Sequence, residues 1–175
     1  EYIWIAETDD YSAPSFLLDS INAFEKNKKS SLCFCASNYI DKNGNFLYDS
    51  SMRTLNLDVH DGSFKSFKYN VLIDNMPFKP YITNGSSVVF RTPFDKIPNE
   101  IFLNKQSSDI FLWTFLVKNN EFVFLNKKLN YFRRHKESTT EKNAILRQQS
   151  VYFEKAKYLN FYNQKDKNSL FIEYY

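Results

Sequence analysis

The chain has 175 residues, enough for one ordinary domain with its own core. Hydrophobic residues make up 43% and aromatics 18%, which excludes an intrinsically disordered chain. With 23 basic against 20 acidic residues the net charge is +3, too small and evenly spread to imply nucleic-acid or membrane binding from bulk electrostatics. No run approaches the roughly 18 apolar residues that a spanning helix needs, and glycine is scarce, at three residues.

Glu1-Tyr-Ile-Trp-Ile-Ala6 reads as a buried strand from the first residue, with no initiator Met, signal peptide or polar lead-in. The chain therefore reads as a piece of a longer protein. Ser12 is placed to cap a helix with Pro14 in its first turn, and Leu17, Ile21 and Phe24 recur along it at helical spacing. Leu32–Ser37 is a short apolar strand, and 38–49 a hairpin turning at Asn43-Gly44. The segment from Phe64 to Ile73 is predicted helical, and Pro77 and Pro80 interrupt any regular element after it.

Asn84-Gly-Ser-Ser87 leads into a strand over Val88–Arg91, then a short helix at 93–97 and a loop at 98–107. Asp109–Lys118 is apolar around the whole turn and predicts a buried helix. Phe122–Leu125 and Leu129–Phe132 are two strands joined by Asn126-Lys-Lys128, and Ala144–Tyr162 is the longest helix. Strands alternate with helices early and mix with hairpins later, which predicts a single α/β domain with a mixed sheet flanked by helices.

Three constellations carry chemistry. Glu7, Asp9 and Asp10 come directly after a buried strand at its C-terminal end, where open α/β sheets bind ligands. Such a cluster suits a hard divalent cation, Mg²⁺ or Mn²⁺, shared with a substrate phosphate, or else an acidic turn that caps the next helix. Asp109, after Ser107-Ser108, is either a helix N-cap or a general base, and Trp113 one turn on either stacks on a sugar ring or fills the core. Arg133, Arg134 and His135 end a strand, where guanidinium groups pair with phosphate or with surface acids and an imidazole can complete a metal shell. Cys33 and Cys35 face the same way on a strand and read as buried thiols, and no Walker A, G-x-S-x-G or G-x-G-x-x-G motif is present.

These segments occur in a familiar order. Glu1-Tyr-Ile-Trp-Ile-Ala-Glu-Thr-Asp-Asp-Tyr-Ser-Ala-Pro-Ser-Phe-Leu17 resembles the strand–DXD–helix segment of family 2 glycosyltransferases with the GT-A fold. Asn84-Gly-Ser-Ser-Val-Val-Phe-Arg91 looks like the loop and strand before the family's acceptor region, and Ser107-Ser-Asp-Ile-Phe-Leu-Trp113 like its catalytic-base segment. Leu129-Asn-Tyr-Phe-Arg-Arg-His-Lys-Glu-Ser-Thr139 is similar to its Tyr-Arg-x-His-x-x-Ser element. The resemblance spans residue 1 to about 140.

The resemblance implies a GT-A-like mixed sheet without the N-terminal nucleotide-binding strands, so that 1–175 is one partial domain, with 141–175 its C-terminal helix and tail. It also implies an inverting sugar transfer from a nucleotide-diphosphate sugar to a glycan or lipid-linked acceptor. Asp109 would be the base, Asp10, Asp9 and His135 the Mn²⁺ or Mg²⁺ site, and Asp9, Trp113, Arg133, Arg134, Gly85 and Ser86 the substrate contacts. Glu7 stands where Asp is more usual, and Ser108 replaces the first acid of a pair often seen before the base. The family's usual setting is bacterial polysaccharide assembly at the cytoplasmic face of the membrane, with peripheral association of the parent protein. A non-catalytic carbohydrate-binding or scaffold domain and a nucleotidyltransferase are the competing readings.

Overall fold

The computed structural model describes residues 1–135 and 144–162. In chain order the elements are β1 (Tyr2–Trp4), β2 (Tyr11–Ser12), α1 (Phe16–Lys26), β3 (Ser30–Ile40), β4 (Phe46–Asp49), α2 (Ser51–Thr54) and a 3-10 turn at Leu55–Leu57. Then come β5 (Phe64–Lys68), α3 (Tyr69–Ile73), a second 3-10 turn at Gly85–Ser87, β6 (Val88–Arg91), α4 (Asn99–Phe102), α5 (Ser108–Val117), β7 (Glu121–Arg133) and α6 (Ala144–Phe161).

The strands form one mixed sheet in the order β1-β6-β3-β7-β2, with β4 added to β3 and β5 to β7. β3 and β7 are parallel and every other pair is antiparallel. Alternation along β3 divides its side chains between two faces. Leu32, Phe34 and Ala36 join Phe90, Phe122 and Phe124 in a core covered by α3, α5 and α6, while Cys33 and Cys35 lie with Val89 and Val123 under α1. The expected α/β layering with a mixed sheet is what the chain adopts. The buried, unpaired thiols match expectation as well.

Five local expectations are corrected. The opening strand is not buried: β1 covers only Tyr2–Trp4 at the edge of the sheet, with Ile3 37% and Ile5 46% exposed. Ser12 does not cap α1: it lies in β2 and pairs with Asn130 of β7, and the helix begins after Ser15, so Phe24 of the expected stripe is buried together with Phe16, Ser20 and Ala23, while Leu17 is exposed and Ile21 half-buried. Phe64–Lys68 is a strand, because its alternation lays Phe67 against Phe122 (ring centroids 5.4 Å) along β7. No helix forms at 93–97; the short helix starts after Pro98, whose fixed φ suits a helix entrance. The two strands expected at 122–132 are one, because Asn126 N donates to Ser63 O and accepts Gly62 N–H on its own carbonyl, which carries pairing through the irregularity beside Cys35.

The Asn43-Gly44 hairpin forms as expected. The Asp41 carboxylate accepts the N–H groups of Asn43 (2.8 Å) and Asn45 (2.9 Å), and Gly44 takes the left-handed φ of +90° that the turn requires.

Candidate functional site

One end of the sheet gathers the acidic turn, the Gly85 loop and the Arg133–His135 segment. β3 and β7 run parallel and finish side by side, with Ile40 opposite Arg133. β1 is antiparallel to β6, so the acidic turn after β1 meets the Gly85–Ser87 turn that starts β6. Trp4 Nε1 donates to Ser86 O (2.9 Å) and Glu7 N to Ser86 Oγ (3.0 Å), which clamps the two turns together.

Within that frame Asp10 is held on both oxygens. Oδ1 accepts the backbone N–H of Arg133 (2.9 Å) and Oδ2 accepts Asn84 Nδ2 (2.6 Å). Asp9 Oδ2 lies 3.1 Å from His135 Nε2. Glu7, Asp9 and Asp10 each offer a carboxylate oxygen, and these atoms lie within 4.8 Å of one another.

Glu7 is exposed as a residue, yet its Oε1 is tucked toward Gly85: a Cβ built there would meet it at 3.3 Å and Trp113 Cζ2 at 3.9 Å. Loss of solvent around this carboxyl, then the negative charges of Asp10, Asp9 and Asp109, raises it to about 7. Glu7 thus feels both the acidic turn and the start of α5. Asp109 is half-buried at that start, its Oδ1 accepting Ile110 N–H (2.8 Å). Burial lifts its carboxyl above the usual range, with the Glu154 charge adding to the effect.

Several expected substrate contacts turn out to build the site from behind. Trp113 is 1% exposed and packs edge-on against Phe90, so its ring is a core floor under Gly85 and offers no face to a sugar. Ser86 is also 1% exposed and acts as the clamp between turns. Arg133 donates Nε to Asp9 O (2.9 Å) and Nη1 to the carbonyls of Asp41 (3.1 Å) and Lys42 (3.0 Å), so its guanidinium staples backbone instead of awaiting phosphate. Arg134 lies over the Phe132 ring at 5.9 Å. Gly85 fits its place for a steric reason, the close approach of Glu7. The Lys136–Thr139 part of the expected element lies outside the described residues.

Three participants are hard to see in the sequence. Asn84 is visible there only as part of a small-residue loop, although an Asn beside an acid is its natural donor. Glu7 reads as one acid of the turn, with no role of its own in the site. Glu154, 5% exposed on α6, accepts the N–H groups of Lys105 (2.8 Å) and Gln106 (3.0 Å) and so fixes the loop that delivers Asp109. Its one signal is an acid four residues before a core tyrosine, Tyr158.

The donor set is oxygen-rich, hard and negatively charged, and the Arg133 guanidinium is already committed to carbonyls. This chemistry fits Mg²⁺ or Mn²⁺ better than a softer metal. Among the described residues, no helix is long and apolar enough to cross a membrane. No protein-family model matches the chain, and the search of curated proteins finds no match.

Proposed function

We propose that the chain is the metal- and acceptor-binding part of a nucleotide-sugar glycosyltransferase of GT-A type that transfers a sugar with inversion. The observation that carries the reading is convergence. Asp9 and Asp10 are held from residues 84 and 133–135, and Glu7 of the same turn lies against Gly85, which Trp113 of the helix bearing Asp109 also approaches. The resemblance to the family's ordered motifs supports the same assignment.

Asp10 and Asp9 would hold the divalent cation, with His135 beside them. When bound, such an ion offsets the charge that develops on a departing nucleoside diphosphate. Asp109 takes the proton of the acceptor hydroxyl; burial makes it a stronger base than an ordinary aspartate. Ile110 N–H orients its carboxylate, and Glu154 orients the preceding loop. Arg133 keeps the acidic turn in place. Glu7, raised to about 7, is partly protonated near neutral pH, which lowers repulsion in the cluster until a cation arrives.

The test is Asp109→Asn in the full-length protein, assayed for sugar transfer and for donor binding. Transfer should fall to background while metal-dependent donor binding persists. Unchanged turnover would remove Asp109 from the reaction and leave a binding module of the same architecture.

A further inference from the structure

The opposite end of the sheet carries a second constellation. Ser30 is the first residue of β3, whereas Arg133, whose N–H meets Asp10, stands opposite its last residue, Ile40. A cavity of about 600 Å³ opens at the Ser30 end, lined by Lys28, Lys29, Ser30, Phe94, Phe115 and Lys118 among others. That volume lies within the range of small-molecule sites, about 300–1,000 Å³. A smaller hollow of about 350 Å³ also borders Lys29 and adds Lys68.

The charges around the cavity are unbalanced. Arg91 also lines it, but its guanidinium is committed, with Nε donating to Ser30 O (3.0 Å) and the group lying over the Phe24 and Tyr2 rings. Lys28, Lys29 and Lys118 make no ion pair among the described residues, and Asp95 is the carboxylate in the lining. Ser30 is 1% exposed, and its buried hydroxyl has no hydrogen-bond partner among the described residues. Phe94, fully exposed, and Phe115 give the same cavity an apolar side.

We propose that this cavity is a second binding site, for a phosphate-bearing ligand with an apolar or aromatic body. Three ammonium groups supply the charge a phosphate needs, and Phe94 with Phe115 a surface for the rest of the molecule. The volume exceeds what inorganic phosphate alone would fill. The site is remote from the acidic cluster and does not depend on the function proposed for it.

The probe is phenyl phosphate, titrated into the full chain in EDTA so that no divalent cation recruits it to the acidic end, with amide shifts read by NMR. Shifts should concentrate at residues 28–31, 92–95 and 115–120. The triple variant Lys28→Gln/Lys29→Gln/Lys118→Gln should bind roughly tenfold more weakly, while Lys79→Gln, at an exposed lysine outside both linings, binds like the parent. A parallel arm measures co-sedimentation with phosphatidylglycerol vesicles. Loss of vesicle binding in the triple variant identifies a lipid headgroup as the phosphate source, and phenyl phosphate binding without vesicle binding identifies a free organic phosphate. Absence of phenyl phosphate binding, equal binding by the triple variant, or loss of binding in Lys79→Gln would overturn the proposal.

Discussion

His135 Nε2 stands 3.1 Å from Asp9 Oδ2, joining groups 126 positions apart and closing the acidic turn against the end of β7. The side chains remain 26% and 45% exposed, so solvent weakens the contact, which becomes an ion pair only when the imidazole is protonated. A double-mutant cycle on His135→Ala and Asp9→Asn should yield a coupling below about 1 kcal/mol that shrinks with salt. The contact is thus weak enough to yield to a metal. A coupling of several kcal/mol would mark it as a structural pair.

Glu7 sets a pH dependence with a definite sign. Folding raises its carboxyl from an ordinary 4.5 to about 7, so the folded state holds this proton more tightly than the unfolded chain. The resulting stability is fully present below the unfolded value and is lost as pH rises through the folded one. Glu7→Gln should therefore raise the thermal midpoint at pH 8 and leave it nearly unchanged at pH 4. Mn²⁺ should raise the midpoint of the parent at pH 8 and have less effect on the variant. A variant destabilised at pH 8 would contradict this account of the cluster.

Gly85 is fixed by crowding. Its added Cβ would meet Glu7 Oε1 at 3.3 Å, tighter than ordinary contact, with Trp113 just behind. Gly85→Ala should push the Glu7 carboxylate outward, bring its pKa back toward the ordinary value and weaken metal binding, at a stability change of about 1 kcal/mol or less. Carboxyl NMR titration reads the first effect directly. An unchanged Glu7 midpoint would place the carboxylate elsewhere.

Much of this architecture can be read from residue pattern, and the exceptions share a physical cause. The Asn43-Gly44 hairpin, the apolar α5 and the long α6 are encoded by local periodicity and turn chemistry, whereas the apolar run at residues 2–6 marks a strand without revealing that it lies at the sheet edge. β5 is not, because five alternating residues run directly into a short helix and the two together imitate one helical segment. The continuity of β7 depends on backbone bonds from Gly62 and Ser63, which no pattern in Asn126-Lys-Lys128 announces. At the site, acids at strand and helix ends are legible as charge. The role of Arg133 is not, since its partners are main-chain carbonyls from the turns at residues 9 and 41–42. Trp113 could face either way on a helix apolar all round, and only the packing of Phe90 and Gly85 decides it.

The thiols give a simple check on the packing. Cys33 and Cys35 are fully enclosed between the sheet and α1, and burial pushes Cys35 up to about 12 and Cys33 further still. Both should resist an aromatic disulfide reagent in the native state at pH 8 and react when the chain unfolds. Rapid labelling of the native protein would mean that α1 does not cover this face.

Whether the acidic turn is a divalent-cation centre for a nucleoside diphosphate is tested most directly by Mn²⁺ titration read by electron paramagnetic resonance, with and without uridine diphosphate. Saturable Mn²⁺ binding is expected at a single site that tightens when the nucleotide is added. It should be lost in Asp10→Asn but kept in Asp109→Asn. Identical Mn²⁺ binding by the parent and Asp10→Asn, with no response to the nucleotide, would contradict it.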